Sequence, residues 1–167
     1  MVKICVLSDS HSNCEEALNA VEKEMPDVVI HLGDGVADLH RIERAYPELQ
    51  TYGVSGNCDP SQAYPYYQNL KFEGVKVFIT HGQKFNVKND SSLLELCCKA
   101  MEYDADLILF GHTHRAHVDR KLCMDIMNPG TIGCGRDLSY GIVLIDGKTV
   151  KCELRRIDSK GIGKFGR

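Results

Sequence analysis

Apolar positions along this chain follow two alternating rhythms. Val2–Leu7, Val28–Leu32, Val75–Thr80 and Asp106–Phe110 are short, nearly continuous apolar runs, the pattern of buried strands. Between them, Asn13–Met25, Ala37–Tyr46 and Ser91–Tyr103 repeat apolar residues at helical spacing, as Ala17, Leu18, Val21 and Met25 do in the first. Pro47 helps to end the second helix, and Asp90 or Ser91 can cap the third. Gln50–Ser55 predicts a weaker strand. Residues 60–70, with Pro60, Pro65 and the tyrosines 64, 66 and 67, predict an irregular loop holding one short element. The rhythm then changes: Lys121–Met127, Tyr140–Ile145 and Thr149–Ile157 predict three strands with no helix between them, and Asp146-Gly147 is a hairpin signal. Alternating strands and helices predict a mostly parallel sheet, and the closing meander a second sheet packed on it. The expected fold class is α/β, a sandwich of two sheets with helices outside. It forms one domain over residues 1–157, followed by a mobile tail over 158–167.

Five polar stretches interrupt this pattern, each directly after a strand-like run: Asp9-Ser10-His11, Gly33-Asp34, Gly56-Asn57, His81 and Gly111-His112-Thr113-His114. Ligands of open α/β sheets bind outside the carboxyl ends of strands, where all five lie. Asp9 and His11 are two apart, as are His112 and His114; in extended chain such pairs point to one side, so each pair is expected to reach one point. Imidazoles mixed with carboxylates suit manganese, iron, nickel or zinc better than calcium or magnesium. Asp9, His11, Asp34, Asn57, His81, His112 and His114 are too many ligands for one closed ion, so two divalent ions bridged by Asp34 are expected. Such a pair clamps a phosphoryl group and lowers the pKa of bound water from 15.7 to about 7.

The chain of 167 residues, 43% hydrophobic and 26% charged, has the composition of an ordinary globular domain. A net charge of −3 argues against long nucleic acid as a partner. The N-terminus enters the first strand directly, without a basic leader or a membrane-length apolar run, so a cytoplasmic protein without a membrane partner is expected. The eight cysteines are scattered with no Cys-x-x-Cys, which fits reduced, mostly buried thiols rather than a disulfide framework. His31, inside an apolar strand, reads as a core residue. The tyrosine loop or the late strands leave a homo-oligomer open.

In their order, Asp-x-His, Gly-Asp, Gly-Asn, a lone His-Gly and Gly-His-x-His resemble the calcineurin-like metallophosphoesterases. The spelling of Ser8-Asp9-Ser10-His11, Gly56-Asn57-Cys58-Asp59 and Gly111-His112-Thr113-His114, with Asn128-Pro129-Gly130-Thr131, is similar to the YfcE-like phosphodiesterase branch. The resemblance implies a four-layer α/β/β/α sandwich. It implies one ion on Asp9, His11, Asp34 and His114 and a second on Asp34, Asn57, His81 and His112, with manganese first and nickel, iron or zinc as alternatives. It also implies a hydrolase acting on a small phosphodiester, with Asp34, Asn57 and Cys58 at the reacting centre. Two departures stand out. The Gly33-Asp34 stretch lacks the following arginine of the phosphoprotein-phosphatase branch, and Cys58 stands where many members carry a proton-donating histidine. Loss of a positioned acid costs about 10²–10⁴-fold, so good leaving groups are expected to be favoured. A non-catalytic scaffold like the superfamily's retromer-subunit branch is the alternative.

Overall fold

A computed structural model of the chain describes residues 1–60 and 63–157; the tail expected over 158–167 lies outside the described residues. Ten strands are described: β1 (Val2–Leu7), β2 (Val28–His31), β3 (Gln50–Gly53), β4 (Tyr67–Phe72), β5 (Val75–Thr80), β6 (Leu107–Phe110), β7 (His117–Lys121), β8 (Met124–Asn128), β9 (Ser139–Asp146) and β10 (Thr149–Arg156). They form two five-stranded mixed sheets, ordered β10-β9-β1-β2-β3 and β4-β5-β6-β8-β7. The helices are α1 (Cys14–Glu24), α2 (Val36–Ala45) and α3 (Leu94–Met101).

Strand alternation explains the four layers. In β1, Ile4 and Val6 face the second sheet, where they meet Val77, Ile79, Leu107, Leu109 and Met127. Cys5 and Leu7 face the other way and pack with Ala17 and Val21 of α1 and Leu39 and Ile42 of α2. Phe78, Ile108 and Ile126 likewise turn outward onto Leu96, Cys97 and Ala100 of α3. Each such aliphatic side chain contributes about 1.5–3 kcal/mol by leaving water.

The expected sandwich is present, but its sheets are composed differently. The closing strands do not stay together: β8 lies in the second sheet, whereas β9 pairs antiparallel with β1, and β10 with β9, inside the first sheet. The second sheet is built on the parallel pairs β5–β6 and β6–β8. β9 suits a central place because it is apolar on both faces, with Ile142 toward the helices and Val143 and Ile145 toward the other sheet. β4 begins within the stretch expected to be a loop holding one short element and runs two residues past it, then joins β5 through a two-residue turn at Glu73 and Gly74, with φ 47° and 96°. The run expected as one strand over Lys121–Met127 breaks at Leu122 and Cys123, both left-handed at φ 47° and 68°, and becomes the β7–β8 hairpin. The third helix is shorter than expected; Asp90 accepts from the Ser92 and Leu94 amides just before it.

Candidate metal centre

All five polar stretches emerge at the carboxyl ends of parallel strands, β1, β2 and β3 in one sheet and β5 and β6 in the other. The two sheet ends are tied together there. The Asp9 amide donates to the Gly33 carbonyl (3.0 Å) and the His11 amide to the Asp34 carbonyl (2.9 Å). Across the sandwich, the His112 amide donates to Asp9 Oδ2 (3.1 Å) and His81 Nδ1 to the Leu32 carbonyl (2.7 Å). At Gly33 (φ 95°), an added Cβ would lie 2.6 Å from the Gly56 amide nitrogen and 2.9 Å from His81 Nδ1, so only glycine lets the two loops and the imidazole meet.

The side chains converge by a route other than strand alternation. Asp9, His11, Asp34, His112 and His114 all have positive φ, between 45° and 67°. Left-handed backbone costs a non-glycine residue about 1–2 kcal/mol, so these loops carry strain that the surrounding bonds must offset. His112 and His114 therefore do not reach one point as expected. His114 Nε2 lies 3.0 Å from Asp9 Oδ1 and 3.4 Å from His11 Nε2, whereas His112 Nδ1 lies 3.1 Å from His81 Nε2. Asp34 Oδ2 sits between the two groups, 3.9 Å from His11 Nε2 and 3.5 Å from His81 Nε2. Asn57 Oδ1 approaches His81 Nε2 at 3.2 Å. All seven expected ligands thus come to one place, in two groups that meet at Asp34.

This cluster holds more acceptors than donors. His81 Nδ1 donates to the Leu32 carbonyl, which turns its Nε2, the acceptor nitrogen of the neutral ring, toward His112 Nδ1, Asp34 Oδ2, Asn57 Oδ1 and, at 4.0 Å, Asp9 Oδ1. Asp9 Oδ1 is buried and, among the described residues, accepts no well-directed hydrogen bond even though His114 Nε2 lies 3.0 Å away, whereas Oδ2 accepts from Ser8 Oγ and the His112 amide. A buried carboxylate oxygen without a donor is costly, and lone pairs turned toward one another are repulsive. A cation among them would satisfy both, and a ligating histidine ordinarily donates its other nitrogen to a carbonyl as His81 does. The residues therefore fit a metal. Three overlapping sets have ligand atoms within 4.8 Å of one another: Asp9, His11 and His114; Asp9, Asp34 and His81; and His11, Asp34 and Cys58.

The electrostatics follow from this crowding. Burial alone would raise the Asp34 carboxyl, but the Cys58 amide (2.7 Å to Oδ1) and the His81 and His11 imidazoles outweigh it and hold Asp34 below the carboxylate range. Burial, then His81 and the Lys88 ammonium, push His112 down to about 4. Burial and the neighbouring Asp34 push the Cys58 thiol up, so it keeps its proton at neutral pH. Cys58 is exposed at the rim, its Sγ accepting from Asn57 Nδ2 at 3.3 Å.

Residues without an assigned role in the sequence hold the loops in place. Asp59 accepts four backbone amides: Asp34 (2.6 Å) and Gly56 (2.9 Å) on Oδ2, Gly35 and Val36 (both 3.0 Å) on Oδ1. One carboxylate thereby joins the Gly33-Asp34 loop, the Gly56-Asn57 loop and the start of α2. Asp38 Oδ2 accepts from Ser10 Oγ (2.6 Å) and the Ser12 amide (3.0 Å), fixing the Asp9-to-His11 loop. His31 is buried as expected, and burial lowers its pKa; its Nδ1 accepts the Gly33 amide (3.2 Å), leaving Nε2 to donate to Ser10 Oγ (3.1 Å). Asn128 Nδ2 reaches the Gly111 carbonyl (2.9 Å) and Thr113 Oγ1 (3.0 Å), and Thr131 Oγ1 the Asp9 carbonyl (2.9 Å). The only sequence signal for Asp59 was its place in Gly56-Asn57-Cys58-Asp59.

One cleft borders the cluster, and a second begins at Thr113, between the ligands His112 and His114 in the chain. The first, of about 420 Å³, lies on the Cys58 side, between His11, Asp34 and α2. The other, about 700 Å³, lies beyond Thr113, between that loop and the segment after β5.

This architecture and cluster define a protein of the metallophosphoesterase kind. The model of the calcineurin-like phosphoesterase superfamily domain matches residues 2–149, and the chain belongs to that superfamily. It is 32% identical over 152 residues to the probable metallophosphoesterase YsnB of Bacillus subtilis, covering 87% of this chain and 85% of that one. It is 26% identical over 151 residues to the phosphodiesterase MJ0936 of Methanocaldococcus jannaschii, covering 80% and 86%. Among solved structures, a predicted phosphoesterase of Streptococcus pneumoniae superposes with a TM-score of 0.78 at 25% identity, covering 93% of this chain and 89% of that one. Vps29 of Entamoeba histolytica, solved with zinc, shares the fold with a TM-score of 0.72 at 19% identity, covering 92% and 98%. Among the described residues, no helix is long and apolar enough to cross a membrane.

Proposed function

We propose that the protein is a metal-dependent phosphodiesterase that uses two divalent ions and favours good leaving groups. The observation that carries this reading is the acceptor-rich cluster around Asp9 Oδ1, which is buried without a hydrogen-bond donor among the described residues. Asp9, His11, Asp34 and His114 would hold one ion and Asp34, Asn57, His81 and His112 the other. The pair, when bound, supplies hydroxide near neutral pH and charge opposite a phosphoryl group. Manganese is the first choice, with nickel, iron or zinc acceptable to the same donors. The substrate is a small phosphodiester, and the setting cytoplasmic.

The chain's own residues do the rest. The Leu32 carbonyl fixes the His81 tautomer, and the Cys58 amide orients Asp34 through Oδ1 while Oδ2 faces His81 and His11. Cys58 holds a proton at Sγ beside Asp34. A thiol is a weak hydrogen-bond donor, so protonation of a poor leaving oxygen would be slow. Diesters with acidic alcohols need that proton least, which supports a phosphodiesterase over a phosphomonoesterase. The name of the Methanocaldococcus relative supports the same choice.

The test is hydrolysis of bis(p-nitrophenyl) phosphate after chelation and reloading with manganese. Turnover restored by the metal is expected; no turnover by protein shown to hold two ions would overturn the reading and favour the scaffold alternative. Cys58→His is expected to raise activity on phosphomonoesters about 10²-fold, the lower end of a positioned acid's contribution. Unchanged selectivity would mean that position 58 takes no part in protonating the leaving oxygen.

A further inference from the structure

The cleft beyond Thr113 differs in charge from the one beside Cys58. Its floor is apolar, formed by Val87, Leu93 and Phe110, which are 5%, 5% and 3% exposed. Its rim carries Lys88 and Arg115, both exposed, and no carboxylate is among its described lining residues. Neither cation is in an ion pair among the described residues, unlike Lys3, Lys76, Lys99 and Arg155. The Arg115 amide donates to Thr113 Oγ1 (3.3 Å), which Asn128 Nδ2 holds at 3.0 Å, so the root of Arg115 is fixed to the loop carrying His112 and His114. The cleft on the Cys58 side instead includes Asp34, Asp38 and Asp59 and, among the described residues, no lysine or arginine.

We propose that the larger cleft takes one arm of the diester and that this arm is a nucleotide, its own phosphate lying between Lys88 and Arg115 and its base or sugar on the apolar floor. The proposal rests on the phosphodiesterase reading above and names its substrate class. Two unpaired cations over an apolar floor match a group that is anionic at one end and planar or apolar at the other. A volume of about 700 Å³ falls within the usual range for sites of that size. The cleft beside Cys58 has, among its described lining residues, no lysine or arginine to hold a second phosphate, so it receives the other arm, which departs past Cys58. In hydrolysis the oxygen of water bonds to the central phosphorus as its bond to the Cys58-side alcohol oxygen breaks. That oxygen leaves with the electron pair and takes one proton of the water; the second proton goes to the product phosphate or to solvent. The nucleotide arm stays on phosphorus, so the product carries two phosphates.

The test compares diadenylate without a terminal phosphate to the same compound with a 5′- or a 3′-phosphate, all on the manganese-loaded protein. A charge-assisted contact is worth about tenfold or more, so one phosphorylated form is expected to exceed the unphosphorylated one at least tenfold in kcat/KM. In the Lys88→Ala/Arg115→Ala double variant that ratio is expected to fall toward one, with most of it retained in Lys88→Arg. Bis(p-nitrophenyl) phosphate, which lacks a second phosphate, is run alongside. If it is hydrolysed while the wild-type ratio is near one, or while the double variant keeps the ratio, the nucleotide subsite is refuted alone. If metal-loaded protein does not hydrolyse it, the phosphodiesterase reading fails instead.

Discussion

Asp59 offers the sharpest check on how the metal centre is held. Its two oxygens accept four amides, from Asp34, Gly35, Val36 and Gly56, at 2.6–3.0 Å. The Gly35 and Val36 amides open α2 and have no helical partner, so Asp59 acts as a cap supplied from another loop. Hydrogen bonds to a charged group contribute about 1.5–3 kcal/mol, and loss of a cap costs about 1–2 kcal/mol. Four bonds to one carboxylate are not additive, and water can replace part of them at a half-buried site, so Asp59→Ala is expected to cost roughly 3 kcal/mol. Asp59→Asn keeps one oxygen and turns an NH₂ group toward two donors, so roughly 2 kcal/mol is expected. In a domain of this size these losses lower Tm by about 6–12 °C and about 4–8 °C, read by circular dichroism on metal-free protein. Because the same amides place Asp34, metal affinity measured by calorimetry should fall about 10–100-fold. An alanine variant with Tm within about 1 °C of wild type and unaltered affinity would refute the assignment.

Three further outcomes follow from particular contacts. Asp9→Asn places an amide donor opposite His114 Nε2, so the metal-free variant should be about 1 kcal/mol more stable in urea while losing high-affinity metal; a less stable variant would mean Asp9 Oδ1 was not orphaned. Leu122→Asn with Cys123→Gly puts residues suited to positive φ into the β7–β8 turn and should stabilise the protein by about 1–2 kcal/mol; a neutral or destabilising result would contradict the left-handed turn. Burial would raise Glu24, but hydrogen bonds from Lys3 and Tyr140 and the charges of Lys3 and Arg155 hold its carboxyl low. The native state therefore binds fewer protons there than the unfolded chain, and its stabilisation, full above about pH 4.3, is lost as pH falls further. Glu24→Gln should lower Tm by about 2–4 °C at pH 7, with the gap closing toward pH 3; a gap that persists in acid would refute the charge argument.

The sequence was most readable where one signal dominated. Long apolar runs located β1, β2, β5 and β6, and polar residues just past them located the ligands, because strand ends bring such residues together whatever the loops do. The edge strands were harder. β7 is exposed along almost all of its length and β4 alternates only weakly, and their turns at Leu122-Cys123 and Glu73-Gly74 rely on left-handed backbone at residues that do not advertise it. The same cause separates His112 from His114: extended spacing aims i and i+2 together, as Asp9 and His11 do meet, but left-handed φ aims His112 at His81 and His114 at Asp9. Asp59 and Asp38 bind backbone amides far along the chain, a role that leaves no local pattern.

The central claim is that Asp9, Asp34 and the four imidazoles His11, His81, His112 and His114, with Asn57, form a two-metal hydrolytic site. Metal-stripped protein dialysed against manganese, then assayed for bound metal and for bis(p-nitrophenyl) phosphate hydrolysis on the same sample, tests it directly. Two ions per chain with metal-restored turnover is the expected result, and Asp34→Asn should lose both. Fewer than two ions at saturation, or two ions with no turnover, would contradict the account.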